Sequence, residues 1–208
     1  MTLKDHWEGV YVTKQPSEMS WTQEEPMRSL NFINGFNVPK SEPIIDIGGG
    51  ESNLVDFLIK EGYTDLTVLD ISEASLDRAK ERLGELSQKV NWIVSDVVDF
   101  NPSKKYRIWH DRATFHFLTE PSQIESYVSI ANKAVEGYMV IGTFSDKGPK
   151  KCSGLEIRRY SENQLENSFF EGFEKIECIN EDHNTPFDTF QNFTFCSFKK
   201  RSYNPKIL

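Results

Sequence analysis

Apolar and polar positions change their period repeatedly along the first hundred residues. Ile44, Ile45 and Ile47 form a β-branched run that favours an extended strand. Gly48, Gly49 and Gly50 follow it. From Ser52 onward Leu54, Val55, Phe57, Leu58 and Ile59 recur at helical spacing as far as Gly62, a residue suited to ending a helix. The predicted unit is strand, glycine turn, helix, with Ser52 placed to cap the helix. The alternation then returns, as an apolar strand from Leu66 to Asp70, a helical stretch from Glu73 to Leu83, and a strand from Val90 that closes on Asp96 and Val97. A fourth strand runs from Tyr106 into the polar cluster at Arg112, and a fifth from Tyr138 to Phe144. A final hairpin is expected between Phe173–Ile179 and Phe190–Lys199, interrupted by residues 180–186, an insertion able to reach the active edge. Strands alternating with helices predict an α/β fold, a doubly wound three-layer sandwich around a mostly parallel sheet.

Three of these strands end in acids on one edge. Ligands of an open parallel sheet lie outside the carboxyl ends of its strands, so Asp46, Asp70 and Asp96 are expected to gather around one ligand. The glycines allow positive φ and let backbone approach that ligand without a Cβ between. Asp70 follows them by about twenty residues, the interval at which a carboxylate accepts hydrogen bonds from both hydroxyls of a ribose.

On those residues the chain resembles the class I S-adenosylmethionine-dependent methyltransferases. The family's first motif, acid-x-Gly-x-Gly, reads here as Asp46-Ile47-Gly48-Gly49-Gly50, its ribose acid as Asp70, and its third motif as Ser95-Asp96-Val97. Many members carry one more glycine, where this chain has Ser52. The resemblance covers residues 40–145 and implies a Rossmann-like fold with seven strands, the last antiparallel beside strand five. It implies S-adenosylmethionine as cofactor, held by Asp46, Gly48, Gly49, Gly50, Asp70, Ile71, Asp96, Val97 and His110. Asp96 would bind the adenine amino group and the Val97 amide a ring nitrogen. The chain divides into a lead (1–40), a cofactor-binding core (41–145) and a substrate-side portion (146–208) of a single expected domain.

Other nucleotide chemistries fit less well. No tyrosine is followed four residues later by lysine, as a short-chain reductase requires, and no Gly-x-x-x-x-Gly-Lys loop is present. A formal net charge of −8 disfavours a long nucleic-acid partner. So does the absence of an Asn/Asp-Pro-Pro-Tyr/Phe motif after strand four, where a flipped base would be held. No apolar run approaches the ~20 residues that span a bilayer, and the polar first residues are unlike a signal peptide. Three cysteines without metal spacing are expected to be reduced thiols of a cytoplasmic protein, and no metal site is expected.

The substrate side is expected where strand four ends. His110, Asp111, Arg112 and His116 supply a base, an orienting acid and an anion clamp; His116, His110 and Arg112 are the catalytic candidates, with His116 preferred. In the lead, Trp21 is expected to fold over the cofactor and exclude water, as lead segments of the family do. Cys152 is expected to line the acceptor site, and His183 lies in the insertion of the last hairpin. The stretch from Trp109 to Phe117 is also similar to part of some eukaryotic protein-lysine methyltransferases, with Arg112 at a lysine position. The expected function is therefore methyl transfer to a small-molecule acceptor by in-line displacement. A protein-lysine methyltransferase is the first alternative, and a non-catalytic cofactor- or partner-binding module the second. An acidic groove around Glu120 and Asp111 would favour protein; a closed aromatic pocket would favour a small acceptor.

Overall fold

The computed structural model describes residues 2–202. In chain order the elements are α1 (Leu3–Thr13), α2 (Met27–Gly35), β1 (Ile44–Ile47), α3 (Leu54–Lys60), β2 (Leu66–Asp70), α4 (Glu73–Leu83), β3 (Val90–Val94), β4 (Tyr106–Arg112), α5 (Pro121–Ala134), β5 (Val135–Phe144), β6 (Lys151–Cys152), β7 (Leu155–Glu156), α6 (Glu162–Phe169), β8 (Phe173–Asn184) and β9 (Phe190–Lys200). The main sheet has seven strands in the order β3-β2-β1-β4-β5-β9-β8. β3 to β5 pair in parallel, and β9 runs antiparallel between β5 and β8. This is the doubly wound arrangement expected from the sequence, with the direction reversed at β9.

Each strand sends alternate side chains to opposite faces, and two cores result. Ile45, Ile47, Trp109 and Met139 pack beneath α5 and α6 with Tyr127, Leu165 and Phe169. Ile44, Val68 and Ile108 pack on the other face against Leu30 and Ile33 of α2, Leu54 and Leu58 of α3, and Leu76 of α4. Reversal of strand order occurs between β1 and β4, so a crevice opens beyond their carboxyl ends.

Local signals place the turns. Ser52 Oγ accepts the Leu54 amide at 3.1 Å at the start of α3, and Gly62, at φ 88°, ends that helix. The lead contains two helices that its irregular pattern did not predict. α1 begins with a capping box between Thr2 and Asp5 but buries only Val10 and Tyr11, too little to mark a periodic face.

Two expectations need correction. Residues 180–184 do not interrupt the last hairpin; they continue β8, paired from Asn180 with Thr194 to Asn184 with Phe190, and the turn lies at 185–189. The polar composition misled because this part of β8 borders a cavity rather than a core. Cys178 and Cys196 are not reduced thiols. They face each other directly in the β8–β9 register, their Cα atoms 4.1 Å apart, and form a disulfide, leaving Cys152 free. Pairing of this kind depends on strand register, which cysteine spacing alone does not reveal. Among the described residues no helix is long and apolar enough to cross a membrane.

The alternation in β4 buries Asp111 on the α5 side. Its Oδ2 accepts the Tyr127 hydroxyl at 2.6 Å, and its Oδ1 accepts the amides of Thr114 and Phe115 at 3.0 and 3.2 Å. Trp109 Nε1 donates to the Tyr127 oxygen at 2.8 Å. Burial pushes Asp111 up to about 6 while these donors oppose the rise. Tyr127→Phe should therefore leave an indole N–H and a carboxylate oxygen unpartnered in the core and cost roughly 2–3 kcal/mol. Urea denaturation measures this, and a loss below about 0.5 kcal/mol would show that the chain of hydrogen bonds is not needed.

Candidate functional site

Beyond the carboxyl ends of the central strands lies a cavity of about 1040 Å³. Its floor is the glycine turn. Gly48 and Gly50 have φ of 63° and 47°, and the amides of Gly48 and Gly49 donate to the Leu69 carbonyl at 2.7 and 3.2 Å. A Cβ on Gly48 would fall 1.8 Å from Thr114 Oγ1, and one on Gly49 would fall 2.6 Å from Asp46 Oδ2. Only glycine lets this backbone pack against Thr114 and Asp46.

Three acids surround the floor, as their strand-end positions predict. Asp70 is buried, and its Oδ1 accepts the Ser72 amide at 2.8 Å. Burial pushes it up to about 7, with the negative charges of Asp46 and Glu8 adding to the rise. Asp96 lies at the end of β3, where its Oδ1 accepts the Val98 amide at 3.1 Å, and with Ile71 and Val97 it lines the same cavity. Asp46 points to the α2 side of the sheet. Its Oδ1 lies 2.6 Å from His110 Nδ1, and His110 Nε2 lies 2.8 Å from Ser29 Oγ on α2. An ionised Asp46 can only accept, so Nδ1 carries the hydrogen and Nε2 accepts from the Ser29 hydroxyl. The result is a buried Ser29–His110–Asp46 chain whose three members all line the cavity.

Alternation along β4 decides the rest. Ile108, His110 and Arg112 share a face, and Ala113, held at φ 71°, turns the chain just after Arg112. His110 and Arg112 line the cavity; Asp111 does not. His116 also lies outside the cavity wall. It is fully buried and stacked on Phe144, its Nδ1 accepts the Phe144 amide at 3.3 Å, and burial pushes it down to about 3. The preferred catalytic candidate of the sequence thus lies outside the cavity as a neutral, enclosed imidazole, whereas His110 lines it. Cys152 reaches the cavity as a buried thiol pushed up to about 12 by burial. His183 reaches it too, pushed down to about 4 by burial and by the Arg112 charge, with Nε2 donating to the Ser20 carbonyl at 2.8 Å. Among the described residues no group of three or more His, Cys, Asp or Glu is placed to hold a metal ion.

The lead forms the roof. Trp21 stands edge-on to Trp7 at 5.7 Å, and Trp7 is likewise edge-on to Phe117 at 5.1 Å. Glu8 of α1 caps the N-terminus of α4, its carboxylate accepting the amides of Glu73 and Ala74 at 2.7 and 3.1 Å and the Ser72 hydroxyl at 3.1 Å. On the opposite side Arg28 pairs with Glu181 of β8, and Gln191 Nε2 donates to Ser20 Oγ at 3.1 Å. Ser29, Tyr11 and Glu8 escaped the sequence reading. Once α1 and α2 are recognised as helices, the faces bearing Leu30 and Ile33 and bearing Val10 and Tyr11 would have pointed to them.

Comparison with known proteins identifies relatives of this architecture. A family model described as a methyltransferase domain matches residues 44–135. Malonyl-(acyl-carrier protein) O-methyltransferase 1 of Ilyobacter polytropus is 30% identical over 118 residues, 56% of this chain and 42% of that protein. The chain thus spans less than half the length of that relative. EEF1A lysine methyltransferase 2 of Mus musculus is 25% identical over 198 residues, 84% of this chain and 72% of that protein. Among solved structures, the N-methyltransferase NodS from Bradyrhizobium japonicum in complex with S-adenosyl-L-homocysteine superposes with a TM-score of 0.74 at 14% identity. That match covers 96% of this chain and 98% of that one.

The raised Asp70 carries a stability consequence. Its folded value of about 7 exceeds the ordinary 3.8, so folding favours the protonated form, and the fold loses this contribution as pH rises from about 4 through 7. Asp70→Asn should therefore raise the melting temperature at pH 8 by about 2–4 °C, on the order of 1 kcal/mol, and the gain should vanish near pH 4. Thermal melts of both proteins across that range test the assignment, and a variant less stable than the parent at pH 8 would contradict it.

Proposed function

We propose that this chain, whose residues 44–135 match a methyltransferase domain, is a class I S-adenosylmethionine-dependent methyltransferase that transfers a methyl group to a small-molecule acceptor by in-line displacement. The observation carrying this reading is the aromatic-roofed cavity whose one end is the glycine floor ringed by acids and whose other end holds Arg112, Phe117, Phe144 and Cys152. Its volume accommodates a nucleoside cofactor together with a compact acceptor.

The residues present fit S-adenosylmethionine. The glycine turn packs so closely on Thr114 and Asp46 that no side chain fits at Gly48 or Gly49, which leaves bare backbone at the cavity floor. Asp70 supplies the carboxylate for two ribose hydroxyls, Asp96 and the Val97 amide supply an acceptor and a donor suited to an adenine edge, and Gly48 to Gly50 leave room for the backbone to approach. When bound, the cofactor supplies a methyl carbon on a positively charged sulfur. The protein's own work is alignment, exclusion of water by the Trp7 and Trp21 roof, and removal of a proton where the acceptor carries one. For that last task His110 Nε2 is the base. Ser29 Oγ can take a proton from an acceptor while passing its own to Nε2, and Asp46 holds the resulting imidazolium.

A small acceptor is favoured over a protein lysine by the aromatic walls of the cavity and by Asp111, which lies buried on the far face and so builds no acidic groove with Glu120. The relatives divide, one named for methylating a carrier-bound malonyl group and another for methylating a protein lysine. The lysine reading keeps support from the length over which the mouse relative matches.

Calorimetric titration with S-adenosylmethionine, S-adenosylhomocysteine and NADH should give micromolar binding of the first two alone. Binding of NADH alone would overturn the reading. Asp70→Asn should weaken S-adenosylhomocysteine binding by about 1.5–3 kcal/mol through loss of charge-assisted contacts. With an acceptor in hand, from a screen of thiols, acids and lysine peptides, His110→Gln should lower kcat about 10²-fold while changing S-adenosylhomocysteine affinity less than tenfold. Turnover of lysine peptides alone would transfer the assignment to a protein acceptor.

A further inference from the structure

Arg112 sits in the acceptor end of the cavity as a cation with no carboxylate in direct contact. Among the described residues it makes no ion pair. The two carboxylates whose charges it feels make their direct contacts elsewhere, Asp46 with the neutral His110 ring and Glu181 with Arg28. Its Nη1 donates to the Trp21 carbonyl at 2.9 Å, and its guanidinium lies over the Phe193 ring at 4.9 Å. Nε and Nη2 are both sealed from solvent and have no partner. These two nitrogens form one edge of the guanidinium, the edge whose parallel N–H bonds match the two oxygens of a carboxylate. The remaining neighbours offer no negative charge, because the Cys152 thiol is pushed up and the His183 imidazole pushed down by burial, leaving both neutral near pH 7. Burial lowers Arg112 itself only to about 10, so it keeps its charge. A buried charge in this state is costly, and a donor edge left empty in the free protein is relieved by an anion that enters with the ligand.

We propose that the methyl acceptor carries a carboxylate, held side-on by Nε and Nη2 of Arg112, with its apolar body against the aromatic roof; this rests on the methyl-transfer reading above. A single cation among Phe117, Phe144 and Phe193 neutralises one charge, so the site selects a monoanion over a phosphate dianion.

The test uses the full chain saturated with S-adenosylhomocysteine, which first establishes by calorimetry that the cofactor product binds. Failure at this stage removes the methyltransferase reading itself. Acetate, hexanoate and phenylacetate are then compared with their carboxamides and with inorganic phosphate, by calorimetry and thermal shift. The carboxylates are expected to bind roughly tenfold or more tightly than the matched amides and than phosphate. Arg112→Gln should abolish the preference, and Arg112→Lys, which keeps the charge but loses the two-pronged edge, should retain only a small part of it, with S-adenosylhomocysteine affinity within threefold of the parent. Equal binding of acids and amides by the parent protein with S-adenosylhomocysteine bound, or a preference for phosphate, would overturn the proposal.

Discussion

A strand shows its side chains to opposite faces in turn, and in β4 this constraint assigns every member of a dense polar run. His110 and Arg112 face α2 and the cavity; Trp109 and Asp111 face α5 and a closed core. A slip of one residue would exchange the sets, putting a carboxylate where the cavity has an imidazole and a guanidinium. β1 obeys the same rule, so that Asp46 meets His110 while Ile45 and Ile47 pack away from the site. The register of β1 against β4, Asp46 beside His110, is therefore what brings the carboxylate and the imidazole together.

The second constraint is burial of charge at the edge of the sheet. Asp70, Asp111 and Arg112 are all displaced from their ordinary ionisation by desolvation, but they are satisfied differently. Asp111 is surrounded by donors from its own structure and serves the fold. Asp70 receives one amide and keeps capacity to spare, and Arg112 keeps a whole donor edge. The donor edge of Arg112 and the spare capacity of Asp70 both lie in the cavity wall, whereas Asp111 is satisfied within the fold.

How much of this the sequence disclosed follows from the range of each interaction. The glycine floor and the acids Asp46, Asp70 and Asp96 were legible because strand, turn and acid are neighbours in the chain. The mostly parallel sheet followed from the repetition of that unit, and the antiparallel last strand beside strand five from family resemblance. His116 was misjudged because a histidine between two phenylalanines looks the same whether its ring faces a cavity or a core; stacking on Phe144 settles it. The Cys178–Cys196 pair and the reach of β8 toward Ser20 depend on a register between distant segments. The helical nature of the lead was hidden because α1 buries so few of its own side chains.

That sparse burial has a consequence for traffic into the cavity. The roof is fastened at its ends by polar clasps, Glu8 on the start of α4 and the Arg28–Glu181 and Ser20–His183 contacts on β8, with only a small aromatic cluster between. Admission and release of occupants are then governed by breaking hydrogen bonds and ion pairs rather than by unpacking either main core. Clasps of this kind are answerable to the ionic strength of the surroundings. The fastening of the roof is thus tied to the salt of its solvent, while the two cores that hold the sheet are apolar and far less exposed to it.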